Sequence, residues 1–195
     1  MSRPQIVGLG GSGRPQSSSD VALRLALQSC AEAGCDTTLL TAADIALPLY
    51  DPNRAKDTTA GDALLAAVRG ADGLIISSPG YHGGISGLIK NAIDWLEELA
   101  QDPRPYLDGV PVGCISVASG SQTSVATLLS LRTVVHTLRG FPTPFGVAVT
   151  AVPGLFQLGE CADPGVRTQL ATLGRQVADY SSRTAARRPA RAAYP

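Results

Sequence analysis

The residue types best suited to gripping an anion lie in one run, Gly8-Leu9-Gly10-Gly11-Ser12-Gly13-Arg14-Pro15-Gln16-Ser17-Ser18-Ser19. It follows the apolar segment Gln5-Ile6-Val7 and leads into the helical pattern Val21-Ala22-Leu23-Arg24-Leu25-Ala26-Leu27. Glycine lets the backbone turn sharply and present its N–H groups, and serine hydroxyls donate hydrogen bonds. Arg14 adds charge, and the helix N-terminus aims the positive end of its dipole at the same point. The chemistry served by this composition is phosphate binding.

Three phosphate loops share parts of it, and spacing separates them. Gly8, Gly10 and Gly13 match the G-x-G-x-x-G of dinucleotide folds, but that fingerprint wants its third glycine inside a helix, and Arg14-Pro15 follows at once. It also wants an acidic residue at the end of the second strand, about 20 residues on. The candidate Thr37-Thr38-Leu39-Leu40 ends in Thr41, with Asp44 too late. A nucleoside-triphosphate loop would need Lys and Ser/Thr where Arg14 and Pro15 stand. There remains a loop for one terminal phosphate, as on a mononucleotide such as FMN, with Ser12, Arg14, Ser17, Ser18 and Ser19 as donors. The competing reading is a flexible glycine–serine loop with a serine helix cap.

A second glycine-rich loop follows the unbroken apolar run Ala71-Asp72-Gly73-Leu74-Ile75-Ile76-Ser77-Ser78, which reads as a strand buried on both faces of a parallel sheet. In a doubly wound sheet, ligands bind beyond the C-terminal strand ends, where strand order reverses. The loops after the first and third strands flank that crevice, so the two segments become neighbours in space.

Gly11-Ser12-Gly13-Arg14 with Ser17 to Ser19, and Ser78-Pro79-Gly80-Tyr81-His82-Gly83-Gly84-Ile85-Ser86-Gly87-Leu88-Ile89-Lys90-Asn91-Ala92-Ile93-Asp94-Trp95, resemble the NAD(P)H-dependent FMN reductase family. The resemblance implies a flavodoxin-like fold, FMN as cofactor and NAD(P)H as co-substrate. It implies that Ser12, Arg14, Ser17, Ser18 and Ser19 hold the FMN phosphate, and that Pro79, Gly80, Tyr81, His82 and Gly83 line the isoalloxazine ring. A third family segment, here Ala118-Ser119-Gly120-Ser121-Gln122-Thr123, lies near the ring's other edge, which adds Ser119 and Gly120. Two positions depart from the family pattern. Gly80 stands where many members carry Glu, and Gln122-Thr123-Ser124 replaces further glycines. A homodimer or homotetramer with the ring site at a subunit interface is also implied.

Those loops need a frame. Apolar strand candidates near 5–9, 36–41, 71–78, 110–118 and 145–150 alternate with helical patterns near 19–33, 59–69, 88–100, 122–139 and 164–183. The alternation predicts an α/β, three-layer α/β/α sandwich with a five-stranded parallel sheet. Right-handed crossovers and the resemblance give the order 2-1-3-4-5. Residues 1–183 form one domain, and 184–195, with Arg187-Arg188-Pro189, read as a loose tail. Ile45 to Arg54, with Pro48 and Pro52, reads as a loop closing over one side of the site or a subunit contact.

At 195 residues the chain suits one domain with a sizeable core. Sixteen basic residues balance sixteen acidic ones, so bulk charge argues against nucleic acid or an anionic membrane as partner. Met1-Ser2-Arg3-Pro4 leads straight into a strand, without a visible signal peptide, and no apolar run reaches membrane-span length. Cys30, Cys35, Cys114 and Cys161 form no C-x-x-C, and the only histidines are His82 and His136. A disulfide framework and a zinc site are therefore disfavoured, and a reducing cytoplasm fits. His136, among Val134, Val135 and Leu138, reads as structural.

The leading function is an NAD(P)H-dependent FMN oxidoreductase passing a hydride from nicotinamide to flavin N5. Electrons then go to a quinone, azo or metal acceptor, or reduced flavin goes to a partner monooxygenase. No side chain is required as a catalytic acid, because hydride transfer depends on stacking geometry. The alternatives are a non-enzymatic flavodoxin-like electron carrier and a flavin-binding sensory protein. Carriers usually dock through strongly charged surfaces, and this chain is neutral overall.

Overall fold

The computed structural model describes residues 3–14, 17–55 and 58–185. Its elements in chain order are β1 (Gln5–Gly10), α1 (Ser18–Glu32), β2 (Asp36–Leu40), α2 (Asp62–Gly70), β3 (Gly73–Tyr81) and β4 (Gly84–Ile85). There follow α3 (Gly87–Asp94), continued as a 3-10 turn over Trp95–Leu99, then β5 (Pro111–Ala118) and α4 (Ser121–Thr137). The chain closes with β6 (Phe141–Pro142), β7 (Val147–Thr150), the hairpin β8 (Phe156–Gln157) and β9 (Glu160–Cys161), and α5 (Pro164–Ala185). The last helix outruns the expected 164–183 by one half-turn. The rest of the expected tail, 186–195, and Pro15-Gln16 in the anion loop lie outside the described residues.

The main sheet runs β2-β1-β3-β5, with β6 and β7 both pairing with β5 in parallel. This is the expected 2-1-3-4-5 order with the fifth strand split in two. The split has a local cause. Phe141-Pro142-Thr143-Pro144-Phe145 contains two prolines, which cannot donate to a ladder. The interrupted backbone is served by side chains instead: Arg132 Nη1 donates to the Thr143 carbonyl at 2.7 Å, and Phe145 N–H donates to Gln176 Oε1 at 2.9 Å.

Side chains alternate across each strand, so each face has its own core. Val7, Leu9, Leu74, Ile76, Val112 and Cys114 meet α2, α3 and α4. Ile6, Ile75, Ile115, Val117, Val147 and Val149 meet α1 and α5. On that second face, small residues allow close approach. A Cβ on Gly8 or Gly10 would strike Leu27 or Leu23 of α1, and one on Gly113 would strike Leu173 and Val177 of α5. Gly8 and Gly10, the first two glycines of the apparent dinucleotide fingerprint, are thus packing glycines within β1. Between α1 and α5, a Cβ on Gly174 would run into the Ala26 carbonyl oxygen, while the Cys30 thiol donates to the Gly174 carbonyl at 3.2 Å.

All four cysteines are free and buried, and burial pushes the Cys30 and Cys114 thiols up to about 12. Cys114 is fully buried in the core. His136 is exposed on α4, contrary to its expected structural role, because the helix turns Leu131 and Val135 inward instead. Among the described residues, no helix is long and apolar enough to cross a membrane.

Gly174→Ala is expected to cost about 1–3 kcal/mol, toward the upper end because the obstacle is backbone and not a flexible side chain. Urea unfolding followed by circular dichroism measures it; a change below a few tenths of a kcal/mol would refute this account of the helix pair.

Candidate functional site

The anion loop leaves β1 at Gly11, whose φ of 135° belongs to glycine alone, and whose missing side chain lets Ala42 pack against it. Ser12 is buried and its Oγ accepts from the Arg14 N–H at 3.4 Å. Ser17 is the N-cap of α1, as its residue type predicts: its Oγ accepts from the Asp20 N–H at 3.3 Å and lies 3.1 Å from Ser19 Oγ. Val21 N–H reaches the Ser17 carbonyl. Among the described residues, that leaves the Ser18 and Ser19 amides of the first turn for an incoming acceptor.

The loop is held from the neighbouring strand. Gly11 N–H donates to the Ser77 carbonyl at 3.4 Å, and the Ser77 hydroxyl donates to the Ser19 carbonyl at 2.8 Å. Ser78, pointing to the opposite face, accepts from the Ser86 N–H at 3.0 Å and donates to the Pro79 carbonyl at 2.9 Å. Ser86 in turn caps α3 through the Ile89 N–H. On β5, the Ser116 hydroxyl donates to the Ser124 carbonyl in the first turn of α4. Three buried serines at strand C-termini thereby each fix one helix entrance.

Beyond Ser78 the strand continues through Pro79, Gly80 and Tyr81 and folds back on β4, pairing Gly80 with Ile85 and Tyr81 with Gly84. The sequence reading expects a plain loop here. The structure makes a hairpin whose two central residues, His82 at φ 52° and Gly83 at φ 84°, both adopt the left-handed conformation of a tight strand-reversing turn. Thr127 Oγ1 of α4 donates to the Gly84 carbonyl at 3.2 Å and steadies it. Gly80 lies so close to Thr127, Ala118 and Thr123 that a Cβ would press on all three. That crowding is the physical reason this position suits glycine.

Ser12, Arg14, Ser17, Ser18, Ser19, Pro79, Gly80, Tyr81 and Ser119 converge on one open cavity of about 230 Å³. Val117, Ala118 and Ala151 complete its wall. Ala118 opens the third family segment read from the sequence; Val117 and Ala151 were missed, although their position at the C-terminal ends of the fourth and fifth strands was a usable signal. His82 and Gly83 sit in the hairpin turn and Gly120 precedes α4 as its N-cap, so none of the three lines the wall. Asp20, in the first turn, pairs with Arg24 at 3.1 Å, which balances a carboxylate beside an anion site.

The loop at Ile45 to Arg54 is tied to α3. Asn91 Nδ2 donates to the Leu47 and Pro48 carbonyls, Asn91 Oδ1 accepts from the Tyr50 N–H, and Trp95 Nε1 donates to the Pro48 carbonyl at 2.9 Å. Asn91 and Trp95 therefore hold a loop and stand outside the cavity.

A parallel α/β sheet with a serine-rich anion loop after β1 and a glycine hairpin after β3 is the architecture of flavodoxin-like mononucleotide-binding proteins. The model of the NADPH-dependent FMN reductase family matches residues 4–153, and the chain belongs to that family. It is 40% identical over 78 residues to an FMN-dependent NADPH-azoreductase of Staphylococcus aureus, covering 40% of this chain and 38% of that one. It is 33% identical over 97 residues to an iron–sulfur flavoprotein of Methanocaldococcus jannaschii, covering 46% and 50%. The matches span half or less of those relatives. The fold is that of the flavoenzyme NAD(P)H:acceptor oxidoreductase FerB from Paracoccus denitrificans, with a TM-score of 0.74 at 19% identity over 92% of this chain and 98% of that one.

Ser77→Ala is expected to destabilise the fold by about 1 kcal/mol, the worth of one hydrogen bond. It should also raise amide hydrogen exchange in residues 11–19 relative to the rest of the sheet. Exchange unchanged in that segment would remove Ser77 as its anchor.

Proposed function

We propose that this protein is an NAD(P)H-dependent FMN oxidoreductase. The observation that carries the reading is the convergence of the β1, β3 and β5 loops on one cavity, with donor chemistry suited to a phosphate at one end and a thin, open wall at the other. The residues present fit FMN. Four serine hydroxyls, the Arg14 guanidinium and two first-turn amides make a phosphate donor set. When bound, FMN supplies the redox chemistry, taking a hydride at N5 and giving electrons to an acceptor.

The chain's own part is placement. Ser12, Arg14, Ser17, Ser18 and Ser19 hold the phosphate. Pro79, Gly80 and Tyr81 line one edge of the ring and Ser119 the other, while Val117, Ala118 and Ala151 form an apolar floor that excludes water. His82, Gly83 and Gly120 act from outside the wall by fixing the hairpin and the α4 entrance. Gly80 lets β3 pack directly on Thr127 and Ala118, and the open side of the cavity receives a nicotinamide and then a flat acceptor such as a quinone or azo compound. Delivery of reduced flavin to a monooxygenase uses the same open face. Free thiols throughout suit the cytoplasm.

Arg14→Ala is expected to weaken FMN binding by about 1–3 kcal/mol, roughly five- to 150-fold in Kd, read by quenching of flavin fluorescence. Unchanged affinity would sink the phosphate assignment. Wild-type protein that binds FMN but does not accelerate NADH or NADPH oxidation with any acceptor would be a carrier instead.

We also infer a homodimer or homotetramer. Val125 and Leu129, one turn apart on α4 just past the third loop, are 50% and 59% exposed. Adjacent apolar exposure of this kind favours association. Leu129→Glu should shift the protein toward monomer in light scattering; an unaltered mass would place the interface elsewhere.

A further inference from the structure

We propose that the cavity on the β2 side of the anion loop seats the adenylate half of the nicotinamide coenzyme, so that the loop serves two nucleotides from its two sides. The inference rests on NAD(P)H being the co-substrate. This cavity measures about 460 Å³ and shares Ser12 and Arg14 with the smaller cavity across the loop. None of the ring-loop residues, Pro79 to Tyr81 or Ser119, reaches it, so a flavin seated against those residues leaves it free.

Its walls divide by chemistry. Ala42, Ala43 and Ala46 contribute only methyl groups, a smooth apolar surface for a flat heterocycle. Ala43 and Ala46 are exposed and therefore accessible to a ligand. Asp20 brings a buried carboxylate, an acceptor suited to ribose hydroxyls or an exocyclic amine. Arg24 uses its Nε on Asp20, and among the described residues its Nη groups make no hydrogen bond, leaving a planar donor for phosphate. Arg14 stands on the ridge between the cavities, where a pyrophosphate joining the two halves of the coenzyme would cross.

The remaining nearby carboxylate is turned away. Asp44 accepts from the Thr41 N–H at 2.7 Å and from Thr41 Oγ1 at 2.6 Å. It thereby fixes the turn that presents Ala42 and Ala43 and adds no charge to the wall. The volume falls within the range of small-molecule sites and exceeds what a structural water needs.

The test loads the protein with FMN and titrates it with 2′,5′-ADP by calorimetry, alongside kinetics with NADPH and with reduced nicotinamide mononucleotide, which lacks the adenylate. The expected result is that 2′,5′-ADP binds without displacing FMN and competes with NADPH. Ala43→Phe, filling the cavity from an exposed position, should weaken 2′,5′-ADP and raise the KM for NADPH by roughly tenfold or more. FMN affinity and the KM for the mononucleotide should stay within about twofold. The proposal is overturned if 2′,5′-ADP binds only FMN-free protein, if Ala43→Phe changes neither value, or if the mononucleotide suffers equally. Should the wild type oxidise neither reductant, the reductase reading fails by itself. Calorimetry still decides the cavity: binding lost in Ala43→Phe upholds an adenylate site, and no binding overturns it.

Discussion

Ser77 stitches β3 to both ends of the anion loop, taking the Gly11 N–H on its carbonyl and giving its hydroxyl to the carbonyl of Ser19. Both bonds are spent on the frame of the loop and not on its tip. The first-turn amides of Ser18 and Ser19 are therefore held level with the end of β3. The same device recurs at Ser78 with α3 and at Ser116 with α4. Because Ser77 and Ser78 are adjacent in an extended strand, they point to opposite layers. One strand end thus sets the position of helices on both sides of the sheet, and the cavity is what lies between those helix entrances.

Close packing supplies the rigidity this needs. Gly8 and Gly10 let the leucines of α1 lie directly on β1, and Gly174 lets α5 press on the α1 backbone at Ala26. A helix seated that tightly cannot slide along its axis without a clash, so its N-terminus stays level with the strand end. The opposite face of the sheet works with larger residues: Trp95 and Asn91 bind the loop after β2 through its carbonyls, and Ile45 is buried beneath.

The anion loop separates two hollows of different character. One is floored by strand ends and edged by glycine and serine, and in the proposed reading it takes the FMN. The other is walled by alanines and an Asp20–Arg24 pair. Arg14 belongs to both. In the proposed reading a positive ridge between two nucleotide seats allows one guanidinium to favour each occupant's phosphate, and the protein needs no acid or base of its own for hydride transfer.

Much of this was legible in the sequence because it is local. The alternation of apolar strands with amphipathic helices, the proline-bounded anion loop and the serine cap at Ser17 depend on neighbours within a few residues. The strand order followed from the general handedness of crossovers together with family resemblance. What the tertiary structure alone decided involves partners far apart in the chain. Gly8 and Gly10 looked like ligand glycines until the leucines of α1 were placed against them. Pro79 to Tyr81 looked like loop until β4 folded back on them. The serine at 77 carried no signal as an anchor, because a hydroxyl's acceptor 58 residues away in the chain is set by packing and not by spacing. The hollow beside β2 is likewise a product of where α1 and the turn at Thr41–Asp44 come to rest, an arrangement of separate elements that no periodicity encodes.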